Sequence, residues 1–264
     1  MGKAKLDAAF KQVLEAGNKA FVPYIMAGDG GLDVLEERLN FLEESGATVV
    51  ELGIPFSDPV ADGPTIQEAG LRALAQGVSL RSVLAELKRF REKRTIPVVL
   101  MTYINPIHAF GVTAFAKQCQ EAGVDGLIIP DLPLEEENLI AKDLKEHEIA
   151  LIRLAALTSN TERLTEIAKR TEGFLYAVAV TGTTGARTTY KDNLAQHLQD
   201  LKAISNVPVL AGFGVSTPEQ VKELSASCDG VIVGSKIVDR LHHGDTETIR
   251  ALIQAAKLTE NAKS

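Results

Sequence analysis

Two acidic residues, Glu51 and Asp62, are candidates for proton transfer. Glu51 lies near the end of a short apolar segment, 47–52, where strand alternation places it on the same face as Val49. A carboxylate in apolar surroundings must be paired, hydrogen-bonded or raised in pKa, and a raised pKa suits proton transfer. Asp62 lies in a more polar loop, 55–64, where we expect it to stay ionised. Two acids in unlike surroundings indicate divided acid and base roles, although spacing alone also allows a salt-bridged Glu51 and a turn-forming Asp62.

Three glycine-containing segments follow apolar runs in the later part of the chain, at 181–187, at 212–217 and at Gly234–Ser235. Glycine lets backbone N–H groups approach a ligand closely, and a helix that begins near Ser235 would direct its positive end at an anion. Closed α/β barrels often hold phosphate with the loops after strands seven and eight. The three glycine turns therefore predict a phosphate site.

Other residue types narrow the chemistry. No lysine stands at the carboxyl end of a predicted strand, which disfavours a Schiff-base aldolase. Of the five histidines only His108 lies near such an end, which disfavours a metal centre. Cys119 and Cys228 lack CxxC spacing, and we interpret them as reduced thiols of a cytoplasmic protein. These features favour a metal-free acid/base enzyme that acts on a phosphorylated, partly apolar substrate.

Eight short apolar runs rich in β-branched residues must position these side chains. Each run is followed by a turn and then by an amphipathic segment. We interpret these amphipathic segments, such as 32–45 and 133–147, as helices. Nearly continuous apolar strands indicate a parallel sheet covered by helices. Eight such units favour an α/β fold of the (β/α)8 TIM barrel type, one domain over 1–264, rather than a doubly wound open sheet. The predicted strands are 20–26, 47–52, 96–101, 126–129, 149–154, 174–180, 207–211 and 230–233.

Three further segments complete the sequence-based picture. The first 17 residues predict a short amphipathic helix rather than a signal peptide, and the segment 53–80 is an insertion after the second strand. The segment 95–116 has 22 residues without an acidic or basic charge, but Pro97 and Pro106 interrupt it, and we interpret it as a strand, a polar loop and a helix start. The net charge of −7, without a basic cluster, argues against nucleic-acid binding.

The segment Glu51–Gln67, ELGIPFSDPVADGPTIQ, resembles the signature of the tryptophan synthase alpha subunit family at essentially every position. The resemblance continues through nearly the whole chain, in the motifs 21–24, 130–133, 184–187, 212–214 and 234–235. It implies a (β/α)8 barrel with lyase activity. The reaction is the retro-aldol cleavage of indole-3-glycerol phosphate to indole and glyceraldehyde 3-phosphate in L-tryptophan biosynthesis.

The same resemblance implies roles for individual residues. Glu51 would protonate C3 of the indole and help to remove the glycerol hydroxyl proton, while Asp62 would accept the indole N–H and stabilise the positive charge there. The wall of the indole pocket would consist of Tyr24, Met101, Tyr103, Ile128, Tyr176 and Ile232. Further substrate contacts, mainly to phosphate, would come from Thr184, Gly185, Phe213, Gly214, Gly234 and Ser235.

The resemblance also implies a partner, the beta subunit of an α2β2 complex that receives indole through a tunnel. No cofactor is expected in this chain, because pyridoxal phosphate belongs to the beta subunit. Loops after the second and sixth strands would close over the substrate, and the surface facing the partner would include Pro55, Asp58, Asn105 and Asp131–Leu134.

Two alternatives remain at this point. A barrel for another phosphorylated substrate, such as a pentose-phosphate epimerase or a prenyl-glyceryl phosphate synthase, would leave the segment from Glu51 to Asp62 unexplained. A non-enzymatic regulatory subunit would be expected to lack one of these two acids, and both are present. We expect a cytoplasmic protein that binds neither nucleic acid nor a membrane.

Overall fold

The computed structural model describes residues 2–178 and 187–257, with side chains for all of these except 187–193. Eight parallel strands form a closed barrel in chain order, in which β1 pairs with both β2 and β8. The predicted (β/α)8 barrel is thereby confirmed. The strands are β1 (Ala20–Met26), β2 (Val50–Gly53), β3 (Val98–Met101), β4 (Gly126–Ile128), β5 (Ala150–Ala156), β6 (Leu175–Val178), β7 (Val209–Gly212) and β8 (Gly230–Val233).

The predicted strand bounds agree with the observed ones for β1 and β8, and elsewhere they differ by up to three residues at an end. The predicted end of the sixth strand, Val180, lies outside the described residues. The insertion after β2 consists of a loop, 54–63, and an additional helix that precedes the helix packed before β3.

Helices surround the barrel, and the predicted N-terminal helix is present as α1. Those in the described part of the chain are α1 (Lys3–Glu15), α2 (Leu35–Ser45), α3 (Pro64–Ala75), α4 (Leu80–Arg89), α5 (Ile104–Phe110), α6 (Val112–Glu121), α7 (Ala141–Glu146), α8 (Thr161–Arg170), α9 (Arg187–Ile204), α10 (Pro218–Ser225), α11 (Ser235–His242) and α12 (Thr246–Gln254). Two 3₁₀ helices, Arg91–Lys93 and Leu134–Leu139, complete the set.

Two local predictions were wrong. The polar loop expected after β3 is helix α5, which tolerates Pro106 because this residue lies in the first turn, where backbone N–H groups have no intrahelical acceptor. The α5 backbone N–H of Ile104 donates instead to the Asp131 carboxylate at 3.0 Å. The single helix expected over 133–147 is divided, because Ile140 adopts φ −136° between the 3₁₀ helix and α7.

The barrel interior follows the period-two alternation of its strands. Val49, Val99 and Ile128 pack together inside the barrel, whereas Val50 and Leu52 pack outward against the helices. The face predicted for Glu51 is therefore the interior face.

Helix α1 closes the end of the barrel at which the strands begin, which we call the floor. Its buried residues Leu6 and Phe10 belong to the interior cluster, and the Phe10 ring lies 5.5 Å from the ring of Phe174. The Lys3 ammonium contacts the Glu172 carboxylate at 2.7 Å. The floor is thus an apolar plug with a charged edge.

Side-chain oxygens at the floor also tie each odd-numbered strand to the next even-numbered one. Every one of them accepts a backbone N–H at the start of the preceding strand, at 2.9 to 3.1 Å. These floor hydrogen bonds run from Phe21 to Thr48, from Val98 to Asp125, from Leu151 to Glu172 and from Val209 to Asp229. They give the strand starts partners that the short strand ladders do not supply.

Both cysteines, Cys119 and Cys228, are free and buried. Burial raises the pKa of each thiol, to about 11 for Cys228, which keeps the reactive thiolate scarce at neutral pH. Among the described helices, none has the length and apolar character needed to cross a membrane.

Candidate active site

Glu51 lies on β2 between Tyr24 of β1 and Val99 of β3 in the strand register. Its side chain is buried, with 1% of the residue exposed, and neither carboxyl oxygen has a hydrogen-bond partner among the described residues. Burial, and secondarily the charge of Asp62, raises the pKa of Glu51 to about 8. Glu51 is therefore mainly protonated at neutral pH.

Asp62 lies at the end of the loop between β2 and α3, and it is half-buried. The Asp62 backbone N–H donates to the Pro59 carbonyl at 3.0 Å. The Gln67 side-chain amide donates to the Asp62 backbone carbonyl at 2.8 Å. Burial raises the pKa of Asp62 to about 6, and a hydrogen bond from the Tyr103 hydroxyl opposes this rise. Asp62 is thus mostly ionised at neutral pH, as the sequence predicted, although its surroundings are less polar than expected.

Tyr103 holds the Asp62 loop from the opposite side. Its hydroxyl accepts the Ala61 backbone N–H at 3.1 Å, and its ring centroid lies 5.3 Å from that of Phe56. The sequence placed Tyr103 only on the pocket wall and missed this second role. No local pattern could have revealed it, because the two partners are 42 positions apart in the chain.

Two tyrosines on barrel strands, Tyr24 of β1 and the partly buried Tyr176 of β6, are close enough to sense the charges of the acids. The pKa of both Tyr24 and Tyr176 is raised well above its ordinary value, first by burial and then by the charges of Glu51 and Asp62. A Cβ at Gly53 would lie 1.9 Å from the Tyr24 hydroxyl. A Cβ at Gly212 would lie 2.5 Å from the Tyr176 ring, so both strand-end glycines make room for an aromatic side chain. Sequence reasoning had assigned Gly212 only to a phosphate turn.

The other predicted wall residues occupy the same interior. Ile128 and Ile232 are buried in the interior cluster, and Met101 and Tyr176 pack against it. Tyr24 is paired with Glu51 in the strand register, and the Tyr103 hydroxyl holds the loop that carries Asp62. The structure thus places four of the predicted wall residues at the interior cluster and the other two beside the two acids.

Two of the three predicted phosphate turns, at 212–217 and at Gly234–Ser235, lie at the same end of the barrel. Gly214 has φ +65° with open space where a side chain would stand, and α11 begins at Ser235 with Gly234 as its N-cap. The Phe213 side chain packs outward against the helices, which leaves its backbone as the part available to a ligand. The remaining predicted contacts, Thr184 and Gly185, lie outside the described residues.

The surface predicted to face a partner surrounds this pocket. Asp58 and Asn105 are exposed, whereas Pro55 is buried. The neighbouring loop residue Val60 is 82% exposed, an unusual position for an apolar side chain. In residues 2–178 and 187–257, no group of three or more His, Cys, Asp and Glu side chains is arranged to hold a metal ion.

Comparison with known proteins adds an independent line of evidence. The family model described as "Tryptophan synthase alpha chain" matches residues 10–264. A tryptophan synthase alpha chain from Oceanobacillus iheyensis is 60% identical over 254 residues, covering 96% of this chain and 97% of the relative. One from Bacillus thuringiensis subsp. konkukian is 52% identical over 262 residues, covering 99% and 100%.

Solved structures agree with the sequence relatives. The tryptophan synthase subunit alpha of Legionella pneumophila superposes with a TM-score of 0.87 at 34% identity, covering 96% of this chain and 98% of that one. A structure of Mycobacterium tuberculosis tryptophan synthase superposes with a TM-score of 0.87 at 33% identity, with the same two coverages.

Proposed function

The chain belongs to the tryptophan synthase alpha chain family, and from this membership we propose which residues carry its reaction. The alpha chain is a lyase of tryptophan biosynthesis that cleaves indole-3-glycerol phosphate to indole and glyceraldehyde 3-phosphate, and this chain has that activity. One observation carries the assignment of roles. It is the buried Glu51 carboxyl, which has no hydrogen-bond partner among the described residues and lies beside the ionised Asp62.

Glu51 acts first as an acid and then as a base. Its raised pKa keeps it protonated, so it can deliver a proton to C3 of the indole ring. The resulting carboxylate takes the proton of the adjacent glycerol hydroxyl. The C–C bond then breaks, its electron pair restores the indole ring, and the hydroxyl oxygen becomes the aldehyde oxygen. Glu51 ends the cycle protonated, as it began.

Asp62 acts on the opposite side of the indole ring. Protonation at C3 places positive charge on the ring nitrogen, and an ionised carboxylate that accepts the N–H stabilises this charge. The hydrogen bond from Tyr103 favours the ionised form and fixes the direction of the carboxylate. The raised pKa of Glu51 and the lower pKa of Asp62 thus match two different tasks.

The remaining contacts bind the two ends of the substrate. The indole ring fits the pocket formed by Tyr24, Met101, Tyr103, Ile128, Tyr176 and Ile232. Backbone N–H groups at Gly214, Gly234 and Ser235, with the positive end of α11, suit the phosphate. Thr184, Gly185 and the backbone of Phe213 complete our proposed set of contacts.

An alpha chain works with a beta subunit, and the exposed surface around Asp58, Val60 and Asn105 is our proposed contact in an α2β2 complex. Pyridoxal phosphate would be held by that partner, which would receive the indole. We further infer one domain over 1–264 and a cytoplasmic location, the latter from the two reduced cysteines and the biosynthetic role.

The direct test is indole release from indole-3-glycerol phosphate. The purified chain should release indole slowly, and addition of the beta subunit should increase the rate, because an ordered site holds the acids and substrate in the reactive geometry. Beta subunit alone serves as the control. Absence of indole with and without the partner would refute the proposed function.

A further inference from the structure

An ion pair between a buried carboxylate and a partly exposed arginine joins the loop after β1 to the helix that follows Asp62. Asp29 is 4% exposed, and both of its carboxylate oxygens accept hydrogen bonds from Arg72 of α3, at 2.7 and 2.8 Å. Arg38 of α2 donates to the main-chain oxygen of the same aspartate. A bidentate arginine–carboxylate pair fixes the relative orientation of the two side chains as well as the distance between them.

Helix α3 packs against α11 and β1, and the Gln76 amide at its end donates to the Gly28 carbonyl at 3.4 Å, but its buried face is shallow. Three of its four buried residues are the small Ala69, Gly70 and Ala73, and the fourth is Ile66. Small residues make shallow ridges, which interlock weakly with a neighbouring surface. The Asp29–Arg72 pair therefore helps to fix the position of α3 along its own axis.

The position of α3 determines the position of Asp62. The start of the Asp62 loop is fixed to the barrel, because the Gly53 carbonyl accepts the Ala27 N–H at 2.9 Å. Its end runs directly into α3, whose first residue, Pro64, is two positions after Asp62. A helix is rigid over the roughly 15 Å that separates ten residues, so a shift at Arg72 is transmitted to the acid.

We propose that Asp29 and Arg72 are positioning residues for the cleavage reaction, which act by holding α3 so that the Asp62 carboxylate meets the indole N–H. This inference rests on the role of Asp62 in the proposed function. Neither residue contacts the pocket itself. Loss of the pair should slow the chemical step more than it weakens substrate binding, because Asp62 acts on charge that develops during the reaction.

The test compares Arg72→Met, Asp29→Asn, the double variant and Arg72→Lys, each as a complex with the beta subunit. Each single loss of the pair should lower kcat about tenfold, with KM for indole-3-glycerol phosphate within about twofold of the wild type. The double variant should lose no more than the worse single one, because both remove the same link. Arg72→Lys, which keeps the charge and one donor, should recover part of the loss.

Arg89→Met is the matched control, because Arg89 pairs with Glu86 at 2.8 Å on the exposed face of α4 and should keep wild-type kcat. Variants that melt at lower temperature but keep wild-type kcat would overturn the proposal and leave the pair a purely structural role. If Arg72→Met does not fold, Arg72→Lys and Asp29→Asn still decide the question. An inactive wild-type complex would refute the proposed function instead, so the two failures are distinct.

Discussion

The two ends of the barrel differ in how their polar side chains are paired. At the floor, oxygens of Thr48, Asp125, Glu172 and Asp229 accept backbone N–H groups and hold strand starts together. At the other end, the catalytic rim, Glu51 has no hydrogen-bond partner among the described residues. One oxygen of Asp125 at the floor also has no partner among the described residues, whereas at the rim both oxygens of Glu51 have none, an arrangement that costs stability and fits the proposed role of Glu51 in the reaction.

Asp125 and Glu51 allow a direct comparison of the two ends, because each residue is 1% exposed. Burial raises the pKa of both carboxyls. At Asp125 the Lys5 charge, the Val98 N–H and the Arg94 charge oppose that rise. At Glu51 the nearby charge is Asp62, which has the same sign and adds to it. Equal burial is therefore opposed by opposite charges at Asp125 and reinforced by a like charge at Glu51, which is the difference that our proposed role of Glu51 as a proton donor requires.

Changing each of these acids to its amide should separate the two roles most sharply. Glu51→Gln should lower kcat for indole release by about 10² to 10⁴, because it removes proton transfer, with KM changed less than about threefold. Asp125→Asn should destabilise the protein and leave kcat per folded molecule unchanged. Steady-state kinetics on both variants provide the measurement. A Glu51→Gln enzyme with more than a tenth of wild-type kcat would show that Glu51 is structural.

The loss of stability caused by burying Glu51 should be visible in the pH dependence of the free energy of unfolding. The pKa of Glu51 is raised from 4.5 to about 8 on folding, so its contribution is complete below pH 4.5 and is lost as the pH rises to about 8. The stability advantage of Glu51→Gln over wild type should therefore grow between pH 5 and pH 8. The gain is on the order of a few kcal/mol, since one pKa unit corresponds to about 1.4 kcal/mol.

Urea unfolding at pH 5, 6.5 and 8 measures this difference. The titration of Asp62 acts in the same direction in both proteins and largely cancels in the comparison. A wild-type curve that runs parallel to the Glu51→Gln curve over this range would mean that Glu51 does not titrate there.

Tyr103→Phe should have the smallest effect and tests how the rim keeps its second acid ionised. Loss of the hydroxyl removes the hydrogen bond that lowers the pKa of Asp62. The acid limb of the kcat/KM profile, which requires ionised Asp62, should move to higher pH, and kcat should fall about tenfold. Tyr176→Phe is the control for the pH of the acid limb. Tyr176 interacts with Asp62 only through the charge of the carboxylate, without a hydrogen bond, so this variant should leave the limb in place. An unmoved limb in Tyr103→Phe would contradict the assigned role.

The sequence predicted those parts of the molecule that depend on local periodicity. A continuous apolar run with period two places Glu51 inside the barrel, and burial alone then predicts its raised pKa. The floor could not be predicted in this way, because Lys3 and Glu172 are 169 positions apart. Helix α5 was missed for the same reason, since the carboxylate that receives its first N–H belongs to Asp131 in another loop.

The site hypotheses had two sources. The two acids and the phosphate turns were proposed from residue types at strand ends, and the pocket wall came from the family resemblance. The supports around Asp62 came from neither, because Tyr103 and Arg72 reach their partners across 42 and 43 positions. The chemistry of a barrel site can be predicted from its strands, whereas the geometry of its loops depends on long-range contacts.

The floor plug has a consequence for the order of events during synthesis. Helix α1 emerges from the ribosome long before Glu172 and Phe174, the residues that it must contact. An isolated helix of 13 residues is marginal in water, and until β6 is made α1 has only its contacts to earlier segments, such as Ile96 and Glu148. The floor plug is therefore complete only after β6 has been made, and the barrel closes later still, when β8 pairs with β1.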